Sequence, residues 1–118
     1  MWKVLFHPEF EDEFDRLSKG VKLDMLAHLR LLEQFGPNLG RPSADTLKGA
    51  VTPNLKELRF RSERGVWRVA FAFDPERRAV ILCAGDKGGV KEDQFYKRLM
   101  RLADDRFKRY LKAMETEK

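Results

Sequence analysis

Three short runs of strand-forming residues, separated by two turn signals, occupy residues 55–87, and no other part of the chain has the pattern of a sheet. In the first run, the apolar Leu58 and Phe60 alternate with charged residues. This period of two is typical of a strand that buries one face and exposes the other. The fold is therefore expected to form around a sheet that has one ionic face.

The second run, residues 66–73, carries one charged residue, Arg68, on its less apolar face. Residues 62–65 separate the two runs and are short enough for a hairpin turn. A two-residue loop pairs residues whose numbers sum to an odd value, which puts Arg68 opposite Arg59 or Arg61. A three-residue loop would mix charged and apolar residues on both faces and is disfavoured.

The same pairing puts Phe60 near Trp67 or Val69 on the apolar face of the hairpin.

The third run, residues 79–84, is apolar on both faces and follows an Asp-Pro turn. A strand of that kind is typically covered on both sides. It is therefore predicted to be central in the sheet.

The ionic face of the hairpin is the candidate functional site. It carries Glu57, Arg59, Arg61 and Arg68, and like charges directly across a strand pair are destabilising unless an anion compensates them. The alternative is an ordinary ionic surface, in which Glu57 pairs with one arginine while the others lie over solvent.

Helical patterns flank the sheet. An N-terminal strand and two helices that form a hairpin over the apolar sheet face are predicted, with Gly20 as the break between the helices. The acidic residues of the first helix are interpreted as a solvated face, and the Gly- and Pro-rich residues 38–54 as a flexible cover over the sheet edge. The predicted bounds are 2–6 for the strand and 8–18, 21–35 and 91–114 for the helices.

The net charge of +5 favours a polyanionic partner such as nucleic acid. Residues 55–78 hold 7 basic and 4 acidic side chains and residues 91–118 hold 9 and 6, so the positive excess lies in the sheet and the last helix. A length of 118 residues fits one domain over residues 1–118. We expect a cytoplasmic protein without membrane contact, since no apolar stretch approaches the roughly 20 residues that span a bilayer.

Several kinds of chemistry lack the residues that they need. One cysteine and two histidines cannot supply a zinc site, and the GDKGG segment at residues 85–89 lacks the spacing of a P-loop. This segment fits an anion-binding concavity or a plain turn. We expect no cofactor and no metal, which leaves phosphodiester chemistry in which arginines and lysines stabilise charge and the RNA 2′-hydroxyl is the nucleophile.

The motifs LKELRF, GVWRVAFAFDP and GDK, in the order strand, two helices, antiparallel three-stranded sheet and terminal helix, resemble the RelE/ParE superfamily of bacterial toxins. The likeness is closest to the HigB-like branch of phage-related toxins and covers nearly the whole chain. It implies an α+β, RelE-like fold with a small antiparallel sheet, an N-terminal helical hairpin and a C-terminal helix.

The resemblance also implies the toxin of a type II toxin–antitoxin pair, a metal-independent endoribonuclease that cuts mRNA on the ribosome and inhibits translation. The implied partners are mRNA, the ribosome and a small DNA-binding antitoxin encoded adjacently. Two alternatives stay open: a non-catalytic toxin-like binding module, or a ParE-type inhibitor of DNA gyrase.

The implied site residues are assigned by position in the motifs. Arg68 and Lys87 are expected to stabilise transition-state charge, Arg59 to position the phosphate, and Glu57 to transfer a proton or orient the arginines. Some ribonucleases of the superfamily use a histidine or tyrosine near the C-terminus, where this chain offers Tyr96 or Tyr110. The expected RNA-binding residues are Arg61, Arg64, Lys91, Tyr96 and Arg98.

Overall fold

The computed structural model describes residues 1–117 of the chain. None of the helices in that range is long and apolar enough to cross a membrane. The elements are β1 (Lys3–Phe6), α1 (Pro8–Asp15), α2 (Lys19–Phe35), a short 3-10 helix (Gly36–Asn38), β2 (Ala44–Thr46), β3 (Lys56–Ser62), β4 (Gly65–Phe73), β5 (Arg78–Asp86) and α3 (Glu92–Thr116).

One five-stranded sheet, in the order β1-β5-β4-β3-β2, organises the fold. Neighbouring strands are antiparallel except β1, which runs parallel to β5. The interpretation of residues 38–54 as a flexible cover is wrong in part, because β2 lies within them and pairs Ala44 with Leu58 of β3. The three-residue strand was missed because it is too short to show a period.

The β3–β4 hairpin confirms the predicted two-residue loop. Ser62 pairs with Gly65, and Glu63 and Arg64 between them both have positive φ, of 46° and 68°. Two such residues match the backbone of a type I′ turn, although Asn-Gly is the usual sequence there. Glu63 also accepts a hydrogen bond from the Ser18 hydroxyl at 2.9 Å, which fixes the turn to the start of α2.

Each sheet face has its own apolar core. The α1–α2 hairpin covers the face with Leu58, Val69 and Phe71, as predicted, while α3 covers the opposite face with Ala70 and Leu82. Strand β5 is central and buried on both sides, as its sequence predicts. Its register shifts opposite Ala70 and Phe71, so that two successive residues, Leu82 and Cys83, both join the core under α3.

The boundary between α1 and α2 differs from the prediction. The Ser18 hydroxyl accepts a hydrogen bond from the Val21 amide at 3.2 Å and caps α2, so α1 ends at Asp15 and α2 begins at Lys19. Gly20 thus lies in the first turn of α2 and does not break the helices apart. A serine at a helix N-cap provides the start signal that the glycine obscured.

A buried carboxylate ties the β4–β5 turn to α3. Asp74 is 5% exposed, and its Oδ2 accepts hydrogen bonds from Arg78 Nε and the Tyr110 hydroxyl, both at 2.8 Å. Burial raises the pKa of Asp74, but hydrogen bonds from Arg78 and Tyr110 outweigh it and leave the pKa below its ordinary value. Burial, together with Asp74, raises the pKa of Tyr110 to about 12.

The substitution Tyr110→Phe is expected to lower the free energy of unfolding at pH 7 by about 2 kcal/mol, because it removes a hydrogen bond to a buried charge. Since the pKa of Tyr110 is raised on folding, its stabilising effect is fully present below about pH 10 and is lost as the pH rises towards 12. Urea unfolding of the wild-type protein and Tyr110→Phe should show a smaller difference in the free energy of unfolding at pH 12 than at pH 7. An unchanged difference at pH 12 would contradict this role of Tyr110.

Candidate functional site

Two arginines face each other on the sheet face beneath the first turns of α3. Arg59 of β3 and Arg68 of β4 are paired across the hairpin, as strand parity predicted. Both donate to one acceptor, the Tyr96 hydroxyl: Arg59 Nη2 at 3.1 Å and Arg68 Nε at 2.9 Å. The phenol oxygen therefore holds two like charges together.

Glu57 lies beside this pair and is almost completely buried, at 3% exposed. Its Oε1 accepts a hydrogen bond from Arg59 Nε at 2.7 Å. Its other oxygen, Oε2, is buried without a hydrogen bond of normal geometry to any of residues 1–117. The negative charge of this buried carboxylate lies close to the arginines and attracts them.

The electrostatics of Tyr96 keep it neutral. Burial raises the pKa of Tyr96, the nearby Glu57 carboxylate raises it further, and Arg68 and Arg59 oppose both effects without reversing them. A phenol with a raised pKa remains protonated at neutral pH. Its oxygen accepts two N–H groups, and the Glu57 carboxylate lies close enough to attract its hydrogen. We refer to Glu57, Arg59, Arg68 and Tyr96 as the arginine cluster.

Arg68 is fixed more firmly than the other arginines of this face. It is 9% exposed and donates to the Val66 carbonyl at 3.0 Å. Its guanidinium carbon lies 5.5 Å from the ring centroid of Phe95, within range of a cation–π contact. Gly85, which pairs with Arg68 from β5, gives the ring room, because a Cβ there would lie 3.1 Å from Phe95.

The predicted alternative of an ordinary ionic surface holds only in part. Glu57 does pair with one arginine, Arg59, whose side chain is 47% exposed. Arg68, however, is buried against aromatic rings. A buried guanidinium that faces another guanidinium indicates more than a solvated surface.

Lys87 lies just beyond the end of β5 and shares a cleft with Arg68. The cleft has a volume of about 240 Å³, and its lining also includes Arg64 at the hairpin turn. Arg68 therefore contacts Tyr96 on one side and borders the cleft with Lys87 on the other. Three cationic side chains and one carboxylate, that of Asp86, line this cleft, and the excess of positive charge favours an anion there.

The GDKGG segment forms a turn beside this cleft. Gly88 has a φ of +55°, and its amide donates to Asp86 Oδ1 at 3.2 Å. The Val90 amide donates to the Lys87 carbonyl at 3.1 Å. With these amides engaged, the plain turn is the better of the two interpretations of the segment, and Lys87 itself remains the candidate anion-binding group.

The other predicted RNA-binding residues lie around the cluster without contacting it. Arg61 is exposed on the same face of β3, and Lys91 is exposed at the N-cap of α3. Arg98 is exposed and lines a separate cleft beside Phe95. Tyr96, predicted as an RNA-binding residue and as one of two candidate phenols, lies at the centre of the cluster. Sequence reasoning missed Phe95 and Gly85, since helical spacing assigns Phe95 to the core.

Within residues 1–117, no group of three His, Cys, Asp or Glu side chains lies close enough together to hold a metal ion. Tyr110, the other candidate phenol, contacts Asp74 and Arg78 rather than the arginine cluster. The arginine cluster and the cleft therefore remain the candidate site.

Comparison with known proteins supports the implied family. A family model described as phage-derived Gp49-like protein (DUF891) matches residues 12–108. The candidate toxin HigB2 of Mycobacterium tuberculosis is 41% identical over 95 residues, which are 80% of this chain and 47% of that protein. The candidate toxin HigB3 of the same organism is 35% identical over 108 residues, which are 92% of each chain. This chain thus spans about half of HigB2 and most of HigB3.

The fold has a known counterpart among solved structures. A mutant of the E. coli toxin RelE in the free state superposes with a TM-score of 0.60 at 15% sequence identity, covering 84% of this chain and 93% of that one. The predicted α+β, RelE-like fold is confirmed by this likeness, with one strand more than the sequence indicated. The chain belongs to the Gp49-like (DUF891) family and to the family of the HigB3 relative, and it has a RelE-like fold.

Proposed function

We propose that this protein is the toxin of a type II toxin–antitoxin pair and acts as an endoribonuclease that cuts mRNA and stops translation. The observation that carries the proposal is the arginine cluster: two arginines held by one phenol oxygen, next to a cleft shared by Arg68 and Lys87. The names of the relatives, both candidate toxins, support the same function.

The proposed reaction is a transesterification within the RNA. The 2′-oxygen forms a bond to the neighbouring phosphorus as its proton passes to a water molecule. The bond from phosphorus to the 5′-oxygen breaks as that oxygen gains a proton from the protein. The products are a 2′,3′-cyclic phosphate and a 5′-hydroxyl. Negative charge increases on the phosphate oxygens in the transition state, so prearranged cations accelerate the step.

Each cationic side chain has a role in this proposal. Arg68 and Lys87 stabilise the charge that develops on the phosphate, and the half-exposed Arg59 positions the phosphate. Of the two roles expected for Glu57, its burial and its 2.7 Å contact with Arg59 favour orientation of that arginine. To Tyr96, which is protonated at neutral pH, we assign the donation of a proton to the leaving 5′-oxygen.

We also propose that the reaction needs no metal and takes place on the ribosome. The guanidinium and ammonium groups carry the positive charge that a divalent cation supplies in other phosphoryl-transfer sites. The site is an open cleft of about 240 Å³, with few groups that could fix the conformation of a free RNA strand. A ribosome would supply mRNA in a defined conformation and so the orientation that the reaction requires.

Induced expression followed by mapping of mRNA 5′ ends tests this function. The proposal expects new 5′ ends within translated codons soon after induction. Broken DNA without new mRNA ends would instead identify a gyrase inhibitor, and neither lesion would identify a binding module without catalysis.

We propose a small DNA-binding antitoxin, encoded by the adjacent gene, as the protein partner. The basic face must be restrained in a growing cell, and the outer edges of β1 and β2 offer backbone groups for an added segment. Expression of the toxin alone should arrest growth, and co-expression with the neighbouring gene should restore it. Unimpaired growth at a high level of the folded toxin would contradict the pairing.

A further inference from the structure

The outer surface of α3 carries a row of unpaired basic residues. Counted at about 100° per residue, Lys97, Arg101, Lys108 and Lys112 lie within about 60° of arc along roughly 22 Å of the helix. All four are exposed, and none forms an ion pair within residues 1–117. We call these four residues the α3 stripe.

The acidic residues within the span of the α3 stripe are engaged elsewhere. The Asp104 carboxylate accepts hydrogen bonds from the backbone amides of Val51 and Thr52, at 2.9 and 2.8 Å. The Asp105 carboxylate pairs with Arg109 at 2.9 Å. Hydrogen bonds from neutral amides leave the charge of Asp104 in place, but none of the four basic side chains pairs with it within residues 1–117. The stripe therefore keeps an excess of positive charge.

Other basic residues of α3 serve the fold, which sets the stripe apart. Arg106 and Arg109 contact Glu13 and Glu9 of α1 and hold the two helices together. The stripe points away from the sheet, on the side opposite the buried Leu99 and Phe107. Charge on this side contributes nothing to packing, so it is available for a partner.

From the arrangement of these charges we infer that the α3 stripe binds the sugar–phosphate backbone of structured RNA, separately from the strand that is cut. This inference rests on the proposed function, because it names RNA as the partner. The stripe begins at Lys97, next to Tyr96 of the arginine cluster, so RNA held along α3 is continuous with the cleavage site. The duplex segments of ribosomal RNA are RNA of this kind.

The composition of the stripe favours RNA over a protein or a membrane. Protein interfaces are depleted in lysine at their centres, and helices that bind membranes need an apolar face towards the lipid. The stripe has three lysines and one arginine and no apolar residue in its row. Lysine side chains suit phosphates, which require charge without a fixed direction.

The test compares two variants in an Arg68→Ala background, so that no RNA is cut. The stripe variant carries Lys97→Gln, Arg101→Gln, Lys108→Gln and Lys112→Gln. The control variant carries Arg16→Gln, Lys19→Gln, Arg30→Gln and Lys48→Gln, four exposed residues off α3, and so has the same net charge. The probes are a blunt 20-base-pair RNA duplex and purified bacterial ribosomes, each titrated at several salt concentrations.

The stripe variant should bind both probes about 10²- to 10³-fold more weakly than the control at 0.15 M salt, and the slope of log K against log salt should fall by about 4. A variant with only Lys108→Gln and Lys112→Gln should lower the slope by about 2, which guards against a folding defect in the fourfold change. Equal slopes and affinities for stripe and control variants would overturn the inference.

Two further outcomes separate this inference from its alternatives. Normal binding of the stripe variant to both RNA probes, together with lost binding to a polyglutamate peptide, would overturn it in favour of an acidic protein partner. If the wild-type protein cuts no mRNA but the stripe variant still shows the lowered slope, the proposed nuclease function fails while the RNA-binding surface stands.

Discussion

Replacement of Arg68 with alanine is expected to slow mRNA cleavage by about 10²- to 10³-fold and to abolish toxicity, because it removes a fixed cation that acts on the transition state. The fold should persist. The substitution removes two hydrogen bonds of about 1 kcal/mol each, but it also relieves the repulsion between Arg68 and Arg59 across the hairpin. Cleavage rate, growth arrest and thermal melting should be measured on the same preparations.

Two further substitutions test whether the effect is specific to the Arg68 guanidinium. Arg68→Lys keeps the charge but loses the planar group that contacts Tyr96 and Val66, so it should recover only part of the activity. Arg61→Ala removes an equal charge from the exposed part of the same face and should cost far less. A folded Arg68→Ala protein that cuts at the wild-type rate would remove Arg68 from the mechanism.

Loss of the Glu13 carboxylate should produce the largest change in stability. Arg106 of α3 is 4% exposed and donates to Glu13 Oε1 and to the Leu82 carbonyl, both at 2.8 Å. In Glu13→Gln, a buried guanidinium loses its counter-charge, which costs about 3 kcal/mol. For a protein of this size, that corresponds to a fall in Tm of roughly 10 °C. Urea unfolding would measure the loss directly.

The partner substitution should cost less, although it breaks the same ion pair. In Arg106→Met the remaining Glu13 is 43% exposed and regains water, and the main penalty is the unsatisfied Leu82 carbonyl, about 1 to 2 kcal/mol. Glu11→Gln, an exposed change in the same helix, should be neutral. An Arg106→Met protein less stable than Glu13→Gln would show that packing, not charge, dominates at this position.

The β3–β4 hairpin could be predicted in detail because few rules determine it. A period of two assigns each residue of β3 and β4 to a face, and the length of the turn then sets the register that joins Arg59 to Arg68. The stacked contact of Phe60 with Trp67, at 6.4 Å between ring centroids, follows from the same register. Local sequence patterns were sufficient to predict the structure of this hairpin.

Long-range partners could not be predicted in the same way. The sequence shows Glu9 and Glu13 as members of an acidic run, and both are nearly half exposed, as a solvated face requires. That interpretation missed their ion pairs with Arg109 and Arg106, about 90 or more positions away. The central position of Tyr96 also depends on where α3 crosses the sheet. Helical periodicity fixes which residues share a face of α3, but not which strand that face contacts.

Some assignments stay predictions. The single-domain assignment of residues 1–118 and the roles of the site residues follow from the motifs, and the structure places the side chains without testing their chemistry. The arginine cluster gives these predictions a geometry in which Tyr96 connects Arg59 with Arg68, and Arg59 connects to Glu57.

The proposal that the arginine cluster directs the RNA 2′-hydroxyl against its own phosphate can be tested with one substrate pair. Purified protein is added to ribosomes programmed with an mRNA. The buffer contains the Mg²⁺ that ribosomes require and EDTA to bind other metal ions. The cut position is then mapped. The same mRNA is then prepared with a single 2′-deoxy nucleotide on the 5′ side of the cut. The account predicts a 5′-hydroxyl and a 2′,3′-cyclic phosphate on the ribose substrate and no cut at the deoxy position. Cleavage of the deoxy substrate at the same position and rate would contradict it.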